Sequence, residues 1–154
     1  MFLNKNLFRK LYCYSSIFNL DIVEFSVYHQ NEGEKNIFVF YKPGTKEVSK
    51  TICRNIWNKI IKRQLFLKMH NWIGMDYYNS FILIADDMIM NIILYQYAQS
   101  YSNINLSGYL YNIRKLSVSR GDGGIELKRI RTISHYEYFK LFYRFVKEFN
   151  KDRN

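Results

Sequence analysis

Apolar residues recur along this chain with two periods, and the switches between those periods mark out its elements. Leu7, Leu11, Tyr14 and Phe18 fall one helical turn apart and predict an amphipathic helix over Asn4 to Phe18, stopped at Asn19. Period two then takes over. Val23, Phe25 and Val27 alternate with Glu24, Ser26 and Tyr28, predicting a strand over Leu20 to Tyr28. A polar turn from Gln30 to Lys35 leads to a second strand, Asn36 to Tyr41, and the two are expected to pair as a hairpin with a loose loop. Pro43-Gly44 then breaks the pattern.

Thr51 to Arg63 fits both periods, since Ile52, Ile56 and Ile60 suit a helix and the β-branched content suits a strand; both assignments stay open. Gln64 to Asn71 reads as helix, with Trp72-Ile73-Gly74 as its exit. Tyr77 to Ala85 leads into a helix headed by Asp86-Asp87, where Ile89, Ile92, Ile93 and Tyr97 recur at helical spacing. Asn103 to Lys115 predicts a strand whose apolar parity slips at Ser107-Gly108, the mark of a bulge or bend. After a small-residue loop at Ser117 to Gly124, a long helix is expected over Glu126 to Phe149. Ile130, Ile133, Tyr138, Leu141, Phe142, Phe145 and Phe149 would form its buried side, and Lys128, Arg129, Arg131, Lys140, Arg144 and Lys147 its polar face.

A length of 154 residues suits one domain with a real core, and 48% hydrophobic content is ordinary for a folded chain. Of the formal net charge of +10, +6 falls on residues 111–154. Such a field draws phosphates, whether of nucleotides, nucleic acid or lipid head groups, and does not choose among them. Cys13 and Cys53 share no short spacing and no nearby His, so they read as free thiols of a reducing compartment. With no apolar signal core after Met1 and no bilayer-length apolar run, the expected location is cytoplasmic. His29, His70 and His135 lie far apart and suggest no shared chemistry.

The adjacent acids Asp86 and Asp87 are the main chemical candidates. On the first turn of a helix a carboxylate accepts free backbone N–H groups and suits the positive end of the dipole. It can instead face a cleft as a general base. Neighbouring helical residues diverge by about 100°, so the two acids cannot share one task. Asp87 shares its column with Asn91, whereas Asp86 lies above Ile89 and Met90; Asp86 is therefore expected to cap and Asp87 to face the cleft.

Four segments, in order, carry a resemblance. They are Asn19-Leu20-Asp21-Ile22-Val23-Glu24-Phe25; Ile56-Trp57-Asn58-Lys59-Ile60; Ala85-Asp86-Asp87 at a helix start; and Tyr109-Leu110-Tyr111-Asn112-Ile113-Arg114 followed by Ser117-Val118-Ser119-Arg120. In order and spacing, over residues 3 to 125, they resemble the C-terminal half of a family 2 glycosyltransferase. The final basic helix resembles the tail of glycosyltransferase-like proteins of giant viruses and A+T-rich microbes.

The resemblance implies an α/β sandwich of GT-A type, whose N-terminal half binds a nucleotide sugar and whose C-terminal half receives the acceptor glycan. It places the catalytic base on Asp87, with Asp86 beside it, and substrate contacts on Trp57, Lys59, Arg114, Ser117, Ser119 and Arg120. An inverting transfer needs a carboxylate to take the acceptor hydroxyl's proton, and a second acid nearby can raise that base's pKa towards neutrality. Each substrate contact has a plain alternative. Trp57 stacks on a sugar or packs in the core. Lys59 meets a phosphate or acceptor group, or is a solvated charge. The Arg and Ser loop holds a pyrophosphate or is an ordinary connection.

Complete family members also carry a first βαβ unit and a D-x-D motif whose carboxylates hold Mn or Mg on the donor diphosphate. The aspartates here, Asp21, Asp76, Asp86, Asp87, Asp122 and Asp152, include no D-x-D. The expectation is an incomplete GT-A-type sandwich lacking the N-terminal nucleotide-binding strands, with residues 1–125 as the acceptor-side half and 126–154 as a basic helix packed on it. That implies a truncated or split transferase, inactive alone and without a cofactor or metal of its own. An unpaired sheet edge would leave it open to self-association or to a complementing N-terminal half. A non-catalytic scaffold is one alternative. A basic nucleic-acid-binding module is another, against which stand Glu126, Glu137 and Glu148 among the basic residues and the lack of a recognition motif. The basic face of the last helix is expected to be solvated, in preference to lying on a membrane.

Overall fold

The computed structural model describes residues 6–31, 37–41, 55–79, 86–113 and 124–151. Among these residues four helices and a four-stranded mixed sheet make a mixed α/β architecture. The first helix, α1 (Leu7–Ile17), buries Leu7 and Leu11, half-buries Tyr14 and leaves Phe18, the last residue of the expected stripe, exposed. Its end is set by Asn19, whose φ of 47° puts it in the left-handed region that Asn tolerates better than most residues. The Asn19 N–H then donates to Ser16 O at 3.3 Å and the Leu20 N–H to Ser15 O at 2.9 Å, closing the last turn as a Schellman motif.

Strand β1 (Ile22–Asn31) bonds to every other strand. Along one edge it runs parallel to β4 (Tyr101–Ile113); the opposite edge is divided between β3 (Lys59–Ile61), antiparallel at Ile22 to Glu24, and β2 (Ile37–Tyr41), antiparallel at Val27 to Gln30. The expected hairpin is therefore present, and the end of the undecided Thr51 to Arg63 stretch is a strand. In β4, Phe25 faces Ile104, Ser26 faces Ser107 and Val27 faces Tyr109, so extra residues are accommodated on either side of Ser107. This irregularity is the parity slip seen at Ser107-Gly108.

Period-two alternation ordinarily leaves its polar side in water, but Ile22 to Val27 are all buried here. Val23, Phe25 and Val27 pack against α1, with Ile104 and Leu106 beside them. The other face of the sheet is covered by α2 (Arg63–Asn79), α3 (Asp86–Tyr97) and α4 (Gly124–Lys151), whose Leu65, Met69, Ile89, Ile93, Leu94, Tyr138, Leu141 and Phe145 form one core with Ile22. Glu24 and Ser26 are trapped on that side and need polar partners.

Two details depart from the expected helices. Gly74 does end a helical run, with φ 61° and ψ −169°, but further helical residues follow it to Asn79. On α4, Ile133 is exposed and Arg144 is drawn off the polar face. Its guanidinium sits 4.8 Å over the Trp72 ring and donates to the carbonyls of Trp72 and Ile73, just before the helix breaks at Gly74. Among the described residues no helix is long and apolar enough to cross a membrane.

Candidate functional site

The crossover from α3 to β4 decides where the acids lie. Ser100, between these elements, accepts the N–H groups of Asp21 and Ile22 at 3.1 and 3.2 Å, so α3 ends beside the start of β1. Tyr95 reaches Glu24, and Asp87, two turns earlier, stands farther towards the carboxyl ends of the parallel pair β1 and β4. That is the end at which α/β sheets form their ligand clefts.

The Asp87 side chain is half-buried and leans out of its helix: Oδ2 accepts the Ile56 N–H at 3.3 Å, in the turn before β3. Its backbone carbonyl accepts Asn91 Nδ2 at 2.7 Å, so the polar column expected from helical spacing is hydrogen-bonded. Asp86 opens α3, but its side chain lies outside the described residues, as do Arg114, Ser117, Ser119 and Arg120.

The turn that Asp87 touches is held from below. Phe25 N–H donates to Asn58 O at 3.0 Å, and the Lys59 ammonium donates to the Asn55 carbonyl and, at 3.2 Å, to Asn58 Oδ1. The expected settings of Lys59 are solvent or a substrate phosphate or acceptor group. It is instead turned inward and buried, because the β1–β3 register sets it opposite Glu24, whose carboxylate has no water to stabilise it. Tyr95 completes the arrangement by donating its hydroxyl to Glu24 Oε1, and Lys59 lies 6.0 Å from the Tyr95 ring. Asn58 Nδ2 is buried and has no hydrogen-bond partner among the described residues.

Trp57 lies on the opposite face of the sheet. Its indole stacks on Tyr111 at 4.8 Å and 9° and tilts against Tyr109 at 5.8 Å. It is half-buried, so packing and a residual exposed surface coexist. Of the expected site residues, then, the structure brings Asp87 and the Ile56-Trp57 turn together and assigns Lys59 to their support.

Glu24 and Tyr95 were not singled out from the sequence. A signal existed for Tyr95, since Asp87, Asn91 and Tyr95 continue one column at four-residue spacing. Glu24 gave a weaker one, as a lone acid inside a strand that turns out to be covered on both sides.

Among the described residues no three of His, Cys, Asp and Glu gather in a way that could hold a metal ion. Asp87, with one oxygen already accepting a backbone N–H, does not make a hard-cation site by itself. Comparison with protein families, characterised proteins and solved structures finds no match to this chain.

Proposed function

We propose that the chain is the acceptor-side half of a family 2 glycosyltransferase with a GT-A-type fold. The observation that carries the reading is Asp87. It lies on the first turn of α3 and its half-buried carboxylate reaches across to the turn before β3, so two of the four resembling segments are joined through one side chain.

In this reading Asp87 takes the proton of an acceptor hydroxyl while that oxygen bonds to the anomeric carbon of the donor. The bond from that carbon to the diphosphate breaks, and its electron pair leaves with the nucleoside diphosphate. Trp57, stacked on Tyr111 on the opposite face of the sheet, packs there and is left out of the acceptor contacts in this reading. Arg114, Ser117, Ser119 and Arg120 contact the donor phosphates. This sequence has no D-x-D, so in this reading the donor diphosphate and a metal on it would be held by a complementing donor half.

The test is a two-dimensional NMR titration of the isotope-labelled chain with a panel of mono- and oligosaccharides, followed by a transfer assay with a donor-binding half supplied. Saccharides should shift the Ile56 and Asp87 amides, and Asp87→Asn should retain saccharide binding while lowering transfer about hundred- to ten-thousand-fold. Absence of saccharide shifts at these groups counts against the proposal. The same Asp87–Ile56 hydrogen bond also suits a non-catalytic scaffold, in which the carboxylate only pins the turn. That reading predicts a cellular role indifferent to Asp87→Asn.

A further inference from the structure

The buried side of α4 accounts for Tyr138, Leu141 and Phe145 but not for the large side chains on its far side. Tyr136, Phe139 and Tyr143 are 63%, 60% and 71% exposed, and Ile125 and Val146 are exposed with them. Their spacing of three and four residues stacks Tyr136, Phe139, Tyr143 and Val146 into one stripe on a helix of 28 residues, about 42 Å long. Water gains nothing from such a stripe, and on a single helix it is a surface for something else.

Charge selects the occupant. Arg129, Lys140, Lys147 and Lys151 run along one flank of the stripe, and Lys128 lies on the other side. Glu126, Glu137 and Glu148 recur at an interval that returns a helix to nearly the same face, and they form a separate row between the lysines and the core. The acids are thus kept off the stripe. Lys140 bridges the rows: it pairs with Glu137 at 3.1 Å and lies 5.5 Å from the Tyr136 ring. Both partners of that pair keep contact with water, so the ammonium can exchange Glu137 for another anion at little cost.

A row of tyrosines and phenylalanine bordered by lysine and arginine, on a helix too polar to span a bilayer, has the make-up of a helix lying in the headgroup layer. We propose that the outward face of α4 docks on an anionic lipid surface. The aromatic stripe enters the headgroup layer and the flanking basic residues meet lipid phosphates. The opposite face stays packed on Ile89, Ile93 and Leu94, so docking needs no unfolding.

The test is co-sedimentation of the full chain with vesicles of phosphatidylcholine alone and of phosphatidylcholine mixed with phosphatidylglycerol, at low and high salt. The chain should pellet with the anionic vesicles and be released as salt rises. Phe139→Ser combined with Tyr143→Ser should weaken binding at least about ten-fold. Lys147→Ala or Lys128→Ala should weaken it by about five-fold each. These side chains are outside the core, so thermal unfolding of the variants should match the parent and exclude misfolding as the cause. Failure to pellet with anionic vesicles, equal pelleting on neutral ones, or unchanged binding by the double variant overturns the proposal. So does a dimer, seen by light scattering, that the double variant dissociates and that ignores vesicles: the stripe would then belong to a second copy of the chain.

Discussion

The Lys59 ammonium and the Glu24 carboxylate meet 3.1 Å apart with side chains 0% and 3% exposed, beside a largely apolar core. Such a pair is tolerated because each charge is the other's solvent, with Tyr95, Asn55 and Asn58 completing the shell.

Removing one partner strands the other. Lys59→Met or Glu24→Met alone should therefore destabilise the chain by about 3–5 kcal/mol, whereas the double change to Met should be milder than the sum of the two. Urea unfolding of the two single variants and the double variant checks this, and strictly additive values would mean that the charges do not depend on one another.

Asp87→Asn separates chemistry from architecture. The amide oxygen can still accept the Ile56 N–H, so unfolding should move by no more than about 0.5 kcal/mol. Loss of the base should lower transfer about hundred- to ten-thousand-fold when the donor half is supplied. An active Asn variant would remove Asp87 from the chemistry.

Gly74 adopts φ 61° and ψ −169°, which side-chain-bearing residues populate at a cost of about 1–3 kcal/mol. Among the described residues nothing lies within 4 Å of where a Cβ would stand, so the penalty of Gly74→Ala should be backbone strain. Thermal unfolding should register it, and an unchanged midpoint would show that the helix break relaxes freely.

Asp21 links three segments by accepting the Gln99 N–H at 2.8 Å and pairing with Lys62 at 3.3 Å. Desolvation, the largest single influence, pushes its carboxyl up, but the Gln99 N–H, the Lys62 ammonium and the Ser100 backbone together outweigh it and hold the pKa below the ordinary aspartate value. A carboxyl whose pKa is lower folded than unfolded adds stability above its unfolded pKa, and that stability is lost as pH falls towards the folded one. Melting followed from about pH 6 to pH 2 should therefore fall more steeply for the parent than for Asp21→Asn, with the variant weaker near neutrality by no more than about 1 kcal/mol. Parallel curves would contradict the assignment.

Local signals were legible wherever one residue controls one bend. Asn19 ends α1, Gly74 breaks α2, and the parity slip at Ser107-Gly108 is the β4 irregularity. The Asp87–Asn91 column also follows from helical spacing alone. Pairings across the fold were not legible. β3 is only 3 residues long, too short to declare a period, so nothing in the chain announces that Lys59 lies opposite Glu24. The charge then reads as solvated until the sheet is assembled. On α4, apolar residues lie on two sides, and spacing alone cannot say which side finds a partner; it therefore puts Ile133 inside and Arg144 outside, the reverse of their positions in the fold.

The placement of β1 between an early hairpin partner and a late parallel one bears on how the chain leaves the ribosome. Ser26 and Asn105, bonded at 3.0 Å across the β1–β4 edge, are 79 positions apart in sequence, an interval that takes roughly 4 to 16 s to synthesise. During that interval the hairpin can close, but the edge destined for β4 has only solvent or another nascent chain to bond. Chains stalled before β4 should be rapidly digested and prone to cross-link with one another, and those released after it should resist both. Translation itself thus sets the period during which this strand is sticky.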